Sequence, residues 1–243
     1  MKPPWTRGQL ERLGDAVAGG TPAPATGPTY EDVIQWYANL AAAVQVEIDA
    51  IGRTVLSPAG ISPRVSARAK SLGTLRDKLG RDHGSKLPTI QDFAGVRLEA
   101  PMTLEQQDAV VSAIAERFEC EAGQIRDLRE GAHSGYRAVH VWLRLEDGRV
   151  EVQVRTDLQG AWANAYERLA DRIGRDIRYG RLPADPAIRA VVTTLQDVSR
   201  VKLRDVEARG LDPMAAQQVV ASLQVFEAKV DELPPMPIVE MEP

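Results

Sequence analysis

The chain has 243 residues, 44% of them hydrophobic, enough to build a core without metals or disulfides. Thirty Lys and Arg against 34 Asp and Glu give a net charge of −4, which excludes a histone-like polycation, although 24 of the 30 cations are arginine. No apolar run approaches the roughly 20 residues of a membrane span, no secretory signal is visible, and the single Cys120 excludes an internal disulfide or a cysteine-based zinc site. The sequence therefore reads as a reduced, soluble, cytoplasmic protein.

Residues 1–28 hold ten prolines and glycines, among them Pro3, Pro4, Gly19, Gly20, Pro22, Pro24 and Pro28. A segment so poor in large apolar groups is expected to be a flexible N-terminal arm. From Tyr30 to Val55, apolar residues recur at helical spacing (Val33, Tyr37, Leu40, Val44, Val46, Ile48, Ile51), which predicts a long helix. Gly60 and Pro63 interrupt the chain before a second expected helix from Val65 to Arg81, with Leu72, Leu75 and Leu79 as its buried stripe. Gly95–Glu99 alternates as a short strand. Thr103–Phe118 is a helix whose start carries a capping box, Thr103 with Gln106.

Tyr136–Leu145 and Val150–Arg155 are strands joined by Glu146-Asp147-Gly148-Arg149, with Asp147-Gly148 as the expected two-residue turn. Helices follow at Asp157–Ile173, Pro186–Glu207 and Pro213–Val230, then a loose tail over 234–243. The pattern predicts an α/β (α+β) fold with a mixed, mainly antiparallel sheet flanked by helices. The division expected is an arm over 1–28, a main domain over 29–181, C-terminal helices over 182–233 and the tail.

The hairpin separates two chemistries. Period two places Val141, Leu143, Leu145, Val150, Val152 and Val154 on one face. The other face takes His140, Trp142, Arg144, Glu151, Gln153 and Arg155, with Tyr136 further along, a richer mixture than solvation needs. Arg144 is expected opposite Glu151. Upstream, residues 60–82 carry six cations against two acids, and Lys70, Thr74, Lys78 and Arg81 fall near one face of the expected helix. Such a basic, hydroxyl-bearing face suits either solvent or a polyphosphate. No Walker-type glycine loop is present, so side chains would have to hold the phosphates. Asp92 and Glu151 form the best acidic pair, and two carboxylates near cations suit a Mg²⁺–polyphosphate site.

Five fragments occur in order: Arg68-Ala-Lys70, Thr74-Leu-Arg-Asp-Lys78, Asp92-Phe-Ala-Gly95-Val-Arg97, Gly135-Tyr136-Arg137-Ala-Val-His140 and Glu151-Val-Gln153-Val-Arg155-Thr156. Together, over about residues 60–165, they resemble the synthetase domain of the RelA/SpoT family in its stand-alone small alarmone synthetase form. The resemblance implies a nucleotidyltransferase-like fold and transfer of the β,γ-pyrophosphate of ATP to the 3′-hydroxyl of an acceptor ribose. It implies that Arg68 and Arg97 sandwich the adenine, and that Lys70, Thr74, Lys78 and Arg81 hold the ATP phosphates. The resemblance further implies that Asp92 and Glu151 bind Mg²⁺, with Glu151 also drawing the proton from the attacking oxygen. By the same resemblance, Tyr136 is expected to stack on the acceptor base, Gln153 and Arg155 to line the acceptor side, and His140 to support the strand or the phosphates.

The departures from the family pattern fall on the acceptor side. Ala132 stands where the family has a lysine for acceptor phosphate, leaving Arg129 or His133 as substitutes, and Asn164-Ala165-Tyr166-Glu167 follows Trp162-Ala163 without the usual Glu-His. Three functions stay open. The first makes (p)ppGpp-type alarmones from GDP or GTP. The second pyrophosphorylates the 3′-terminal adenosine of tRNA as a toxin, with a possible antitoxin partner and a landing surface at Arg168, Arg172, Arg175, Arg178 and Arg181. The third is a catalytically weak nucleotide-binding regulatory module. The same resemblance points to homo-oligomerisation through the C-terminal helices.

Overall fold

The computed structural model describes residues 2–81, 86–130, 134–208 and 213–232. The chain divides into two compact units, one of residues 1–98, 109–126 and 140–154, the other of 99–108, 127–139 and 155–243. A single mixed, mostly antiparallel sheet runs in the order β1 (Arg64–Ala69), β2 (Ala94–Ala100), β5 (Gly148–Thr156), β4 (Val139–Leu145), β3 (Ile125–Asp127).

In the first unit, the expected flexible arm is instead a helix, α1 (Arg7–Gly19). Thr6 and Gln9 form its capping box, and Leu10, Leu13 and Val17 are buried. These three residues repeat at helical spacing, a signal that the flanking prolines diluted in the composition of the whole segment. The backbone carbonyl of Val17 accepts from Arg76 Nε at 3.2 Å.

Helix α2 (Tyr30–Leu56) begins at a capping box of Thr29 and Asp32 and buries Val33, Tyr37, Leu40, Val44 and Ile48. Val46, expected in that stripe, is 70% exposed. The helix lies against β1, where Gln45 Nε2 donates to the Val65 carbonyl at 2.9 Å.

The expected helix over 65–81 is two elements. Arg64–Ala69 is the edge strand β1, and a shorter helix α3 (Leu72–Arg81) follows. Arg-Val-Ser-Ala-Arg-Ala alternates in both polarity and burial, which is the period of a strand and not of a helix. Leu75 and Leu79 are buried, but Leu72 is 37% exposed at the first position of α3. The shared helical face drawn through Lys70 and Arg81 therefore does not exist, since Lys70 precedes α3.

The hairpin turn is Glu146-Asp147, one residue earlier than expected, and Gly148 opens β5. Gly148 has φ 146°, and a Cβ there would meet Tyr37 at 3.0 Å, so the position excludes a side chain twice over. Moving the turn by one residue shifts each strand's partners by two and keeps every side chain on its face. Val141, Leu143, Val150, Val152 and Val154 are all fully buried as expected.

In the second unit, Thr156 and Gln159 cap α5 (Asp157–Ile173), whose Leu158, Trp162, Tyr166 and Leu169 form a core with Val192, Leu195, Leu203 and Leu223. Trp162 Nε1 donates to the Leu195 carbonyl at 2.7 Å, and its ring stacks on Tyr166 with centroids 4.7 Å apart. The Tyr166 hydroxyl donates to the Ile177 carbonyl at 2.9 Å. Thr103 and Gln106 make the expected capping box ahead of α4 (Leu104–Arg117), a helix that begins in this unit and ends in the other. The single helix expected over 186–207 is α6 (Pro186–Asp197), a π-helical stretch at Val198–Leu203 and α7 (Arg204–Ala208). Helix α8 (Pro213–Glu232) packs on α5. The tail over 234–243 lies outside the described residues.

Candidate active site

Asp92 is the centre of the first unit's polar cluster. It sits just before β2, and both of its oxygens are taken by ammonium groups: Lys70 Nζ at 2.7 Å and Lys78 Nζ at 2.7 Å. Lys70 is brought there by its own backbone, whose N–H donates to the Phe93 carbonyl at 2.8 Å. Lys78 arrives from the second turn of α3. Burial pushes the Asp92 carboxyl up, but the two lysines outweigh it and hold the group below the usual carboxylate range.

Glu151, midway along β5, faces His140 and Trp142 and not Arg144, which is exposed. His140 Nδ1 lies 3.2 Å from Oε1, Trp142 Nε1 donates to the same oxygen at 3.3 Å, and Gln153 Nε2 donates to Oε2 at 2.8 Å. Burial again works against ionisation, the hydrogen bond and charge of His140 and the Gln153 amide work for it, and the carboxyl ends below its ordinary range. The negative charge of Asp92 acts on it in the opposite direction, so the two acids sense one another.

Both acids line one cleft of about 240 Å³ with Arg68, Lys70, Thr74, Arg97 and Gln153. Arg68 comes from β1, Arg97 from the neighbouring β2, and Thr74 from the first turn of α3. Lys78 reaches the group through Asp92, while the Arg81 side chain lies outside what is described. Sequence reasoning missed Ser66 and Ser71, which also line the cleft. Ser71 Oγ pairs with Thr74 Oγ1 at 2.6 Å and caps α3 through the Thr74 N–H at 3.4 Å. Its signal, a Ser three residues before Thr74, was hidden by starting the helix at Val65.

Tyr136 and Arg155 belong to the second unit. The Arg155 guanidinium lies 5.0 Å from the Tyr136 ring centre, and its Nη2 donates to the Tyr136 hydroxyl at 2.6 Å. Arg155 is only 1% exposed and also lies 3.7 Å from Glu99 Oε1. Expected to line the acceptor side, it is buried and orients Tyr136 instead. Gly135, with φ 85°, sets the turn before Tyr136; a Cβ there would meet the Gln196 carbonyl at 3.1 Å and Trp162 at 3.2 Å.

Arg137 is tied to Glu207 of α7, its Nη2 donating at 2.7 Å. Glu207 also accepts from Thr156 Oγ1 at 2.8 Å and Gln159 Nε2 at 2.9 Å. Neither Glu207 nor Ser199, whose hydroxyl donates to the Gly135 carbonyl, was singled out from sequence. Their partners lie 48 to 70 residues away, beyond any local pattern. In the basic segment over 168–181, Arg175 and Arg178 each reach Asp171 at 3.1 Å, and Arg181 reaches Asp176 at 3.4 Å. His133 and Ala132 lie outside the described residues.

Residues 67–169 match the model of the region found in RelA/SpoT proteins, and they contain every member of the first unit's cleft except Ser66. The uncharacterised protein Rv1366 of Mycobacterium tuberculosis is 46% identical over 197 residues, 81% of this chain and 70% of that protein. The chain belongs to the RelA/SpoT family. Its fold is that of small alarmone synthetase 1 from Bacillus subtilis, with a TM-score of 0.57 at 21% identity over 84% of this chain and 98% of that one. A GTP pyrophosphokinase family protein from Streptococcus pneumoniae superposes with a TM-score of 0.56 at 19% identity, covering 79% of this chain and 97% of that one. As in other RelA/SpoT proteins of this form, helices flank an open, mostly antiparallel sheet. Among the described residues no helix is long and apolar enough to cross a membrane.

Proposed function

We propose that the protein is an ATP-dependent pyrophosphokinase that moves the β,γ-pyrophosphate of ATP to the ribose 3′-hydroxyl of GDP or GTP. The observation that carries this reading is the cleft of the first unit, where two ionised carboxylates, Asp92 and Glu151, stand among Arg68, Lys70 and Arg97. Support comes from family membership and from the same fold in a synthetase solved with its product pppGpp, at a TM-score of 0.57 and 21% identity over 74% of this chain and 96% of that one.

Arg68 and Arg97 offer planar guanidinium groups for the adenine, which an ammonium could not replace. Lys70, Lys78, Thr74 and the first turn of α3 hold the triphosphate, the helix N-terminus adding its unpaired N–H groups. Asp92 and Glu151 fit Mg²⁺: they present hard oxygen donors to one cleft and leave the remaining positions to phosphate oxygens. Magnesium held there supplies neutralisation of the charge that develops on the transferring group.

In the reaction, the acceptor 3′-oxygen attacks the β-phosphorus in line and the bond from that phosphorus to the α-phosphate oxygen breaks, releasing AMP. The proton of the 3′-hydroxyl passes to Glu151, whose two oxygens are fixed by His140, Trp142 and Gln153 so that no reorientation is needed. Tyr136, clamped by Arg155, stacks on the acceptor base. Positioning and charge neutralisation do most of the catalysis, as in phosphoryl transfer generally.

The test is transfer of label from ATP radiolabelled in its γ-phosphate, with Mg²⁺ and either GDP, GTP or bulk tRNA. Label on the guanine nucleotides is expected. Label on tRNA alone, or no transfer to either, overturns the proposal.

A further inference from the structure

Asp92 is held by more than its two lysines. The residue before it, Gln91, sends its Nε2 to two backbone carbonyls, that of Val150 on β5 at 3.0 Å and that of Leu143 on β4 at 3.2 Å. One amide therefore spans both strands of the hairpin. Val150 immediately precedes Glu151, so a single side chain links the backbone beside one acid of the cleft to the backbone beside the other. All of these residues belong to the first unit.

The orientation of this amide follows from its chemistry. Nε2 carries two protons and faces two acceptors, whereas a turned amide would set Oε1 against two carbonyl oxygens. Oε1 itself is buried and has no hydrogen-bond partner among the described residues. A buried acceptor in that state is costly, and an apolar side chain of similar size would avoid the cost. Filling the space beside the hairpin does not call for glutamine. Tying the entry of β2 to both strands does.

The neighbours of Gln91 make the tie rigid. Ile90 and Phe93 are buried on either side, and Arg149 Nη1 of β5 donates to the Thr89 carbonyl at 3.2 Å. Asp92 in turn holds Lys70 and Lys78, each at 2.7 Å, so a displacement of Asp92 carries both ammonium groups with it. We propose that Gln91 is a positioning residue: by spanning β4 and β5 it sets Asp92, and through Asp92 the two lysines, at the spacing from Glu151 that Mg²⁺ and a polyphosphate require. This inference rests on the pyrophosphokinase proposal above. Groups that stand behind a metal ligand fix its direction, and losing one weakens metal affinity by about 10–100-fold.

The experiment measures, by calorimetry on the full chain, the affinity for α,β-methylene-ATP with Mg²⁺ and with EDTA. The methylene bridge replaces the bond that the reaction would break, so only binding is read. In the wild type Mg²⁺ is expected to strengthen binding. In Gln91→Met, which keeps the length of the side chain and loses both donated hydrogen bonds, the factor by which Mg²⁺ strengthens binding is expected to fall about tenfold. Gln91→Asn keeps an amide for water but is one methylene too short to reach both carbonyls, and the same loss is expected; it decides the matter if Gln91→Met does not fold.

Thermal unfolding is followed alongside. A lower Tm with the wild-type Mg²⁺ factor would mean that Gln91 only secures the hairpin, and that result overturns the inference while leaving the pyrophosphokinase proposal standing. A wild type that binds the analogue equally with Mg²⁺ and with EDTA defeats the Mg²⁺–ATP reading of the cleft, and this inference falls with it.

Discussion

Glu207 and Arg137 meet at 2.7 Å with 1% and 7% of their side chains exposed, so a C-terminal helix closes an ion pair on the residue that follows Tyr136. The carboxylate is fully used: Arg137, Thr156 and Gln159 all donate to it. Replacing Glu207 by Ala leaves a buried guanidinium uncompensated, which costs about 3–5 kcal/mol. Chemical denaturation of Glu207→Ala is expected to show a loss of that size. Glu207→Gln, which keeps the shape and one acceptor, is expected to lose less.

Glu151→Gln keeps the side chain's shape and removes its ability to take a proton. Transfer is expected to fall by about 10²–10⁴-fold, with ATP still bound at close to the wild-type affinity in a filter or calorimetric assay. Full activity in this variant would refute the assignment of Glu151. The ATP side has its own probe: Arg68→Lys and Arg97→Lys keep charge but lose the planar face, so the KM for ATP is expected to rise.

The polar face of the hairpin was legible in the sequence because a register shift of two leaves faces unchanged. The turn could be misplaced by a residue while His140, Glu151 and Gln153 stayed together. The donor side was legible in its residues but not in its secondary structure. Six cations over 60–82 suggested a helical face, whereas the chain uses a strand for Arg68, a loop for Lys70 and a helix for Lys78, and Asp92 gathers the two lysines. Nothing local marks Glu207 or Ser199, since their roles come from packing across 48 to 70 residues. Helix α1 was missed for the opposite reason: its signal is local, but averaging over 1–28 erased it.

Asp92 also sets a pH dependence. Its folded carboxyl titrates below the ordinary value of 3.8, so folding favours the ionised form. That contribution is present in full above the unfolded value and is lost as pH falls through the folded one. Acid unfolding of the wild type is expected to steepen below about pH 4. Asp92→Asn is expected to be less stable near neutrality and to show a shallower acid limb, because it has no carboxyl to protonate. An acid limb identical to the wild type would show that the lysine pairs on Asp92 contribute nothing to folding.

Arg155 and Tyr136 allow the clamp to be separated from the stacking surface. Tyr136→Phe keeps the ring and removes the hydroxyl that accepts from Arg155 Nη2, so a buried donor loses a partner. The expected cost is about 1–3 kcal/mol of stability, with the acceptor KM rising only as far as the ring is freed to move. Tyr136→Ala removes the stacking face as well, and its acceptor KM is expected to rise further while the KM for ATP stays near wild type. Arg155→Lys leaves Tyr136 intact but cannot lie flat along the ring or fork between Tyr136 and Glu99, so it is expected to behave as Tyr136→Phe does in acceptor KM. Equal effects of all three variants on the KM for ATP and for acceptor would mean that the pair only holds the second unit together; a selective rise for the acceptor is the outcome expected if Arg155 holds the Tyr136 ring for the acceptor base.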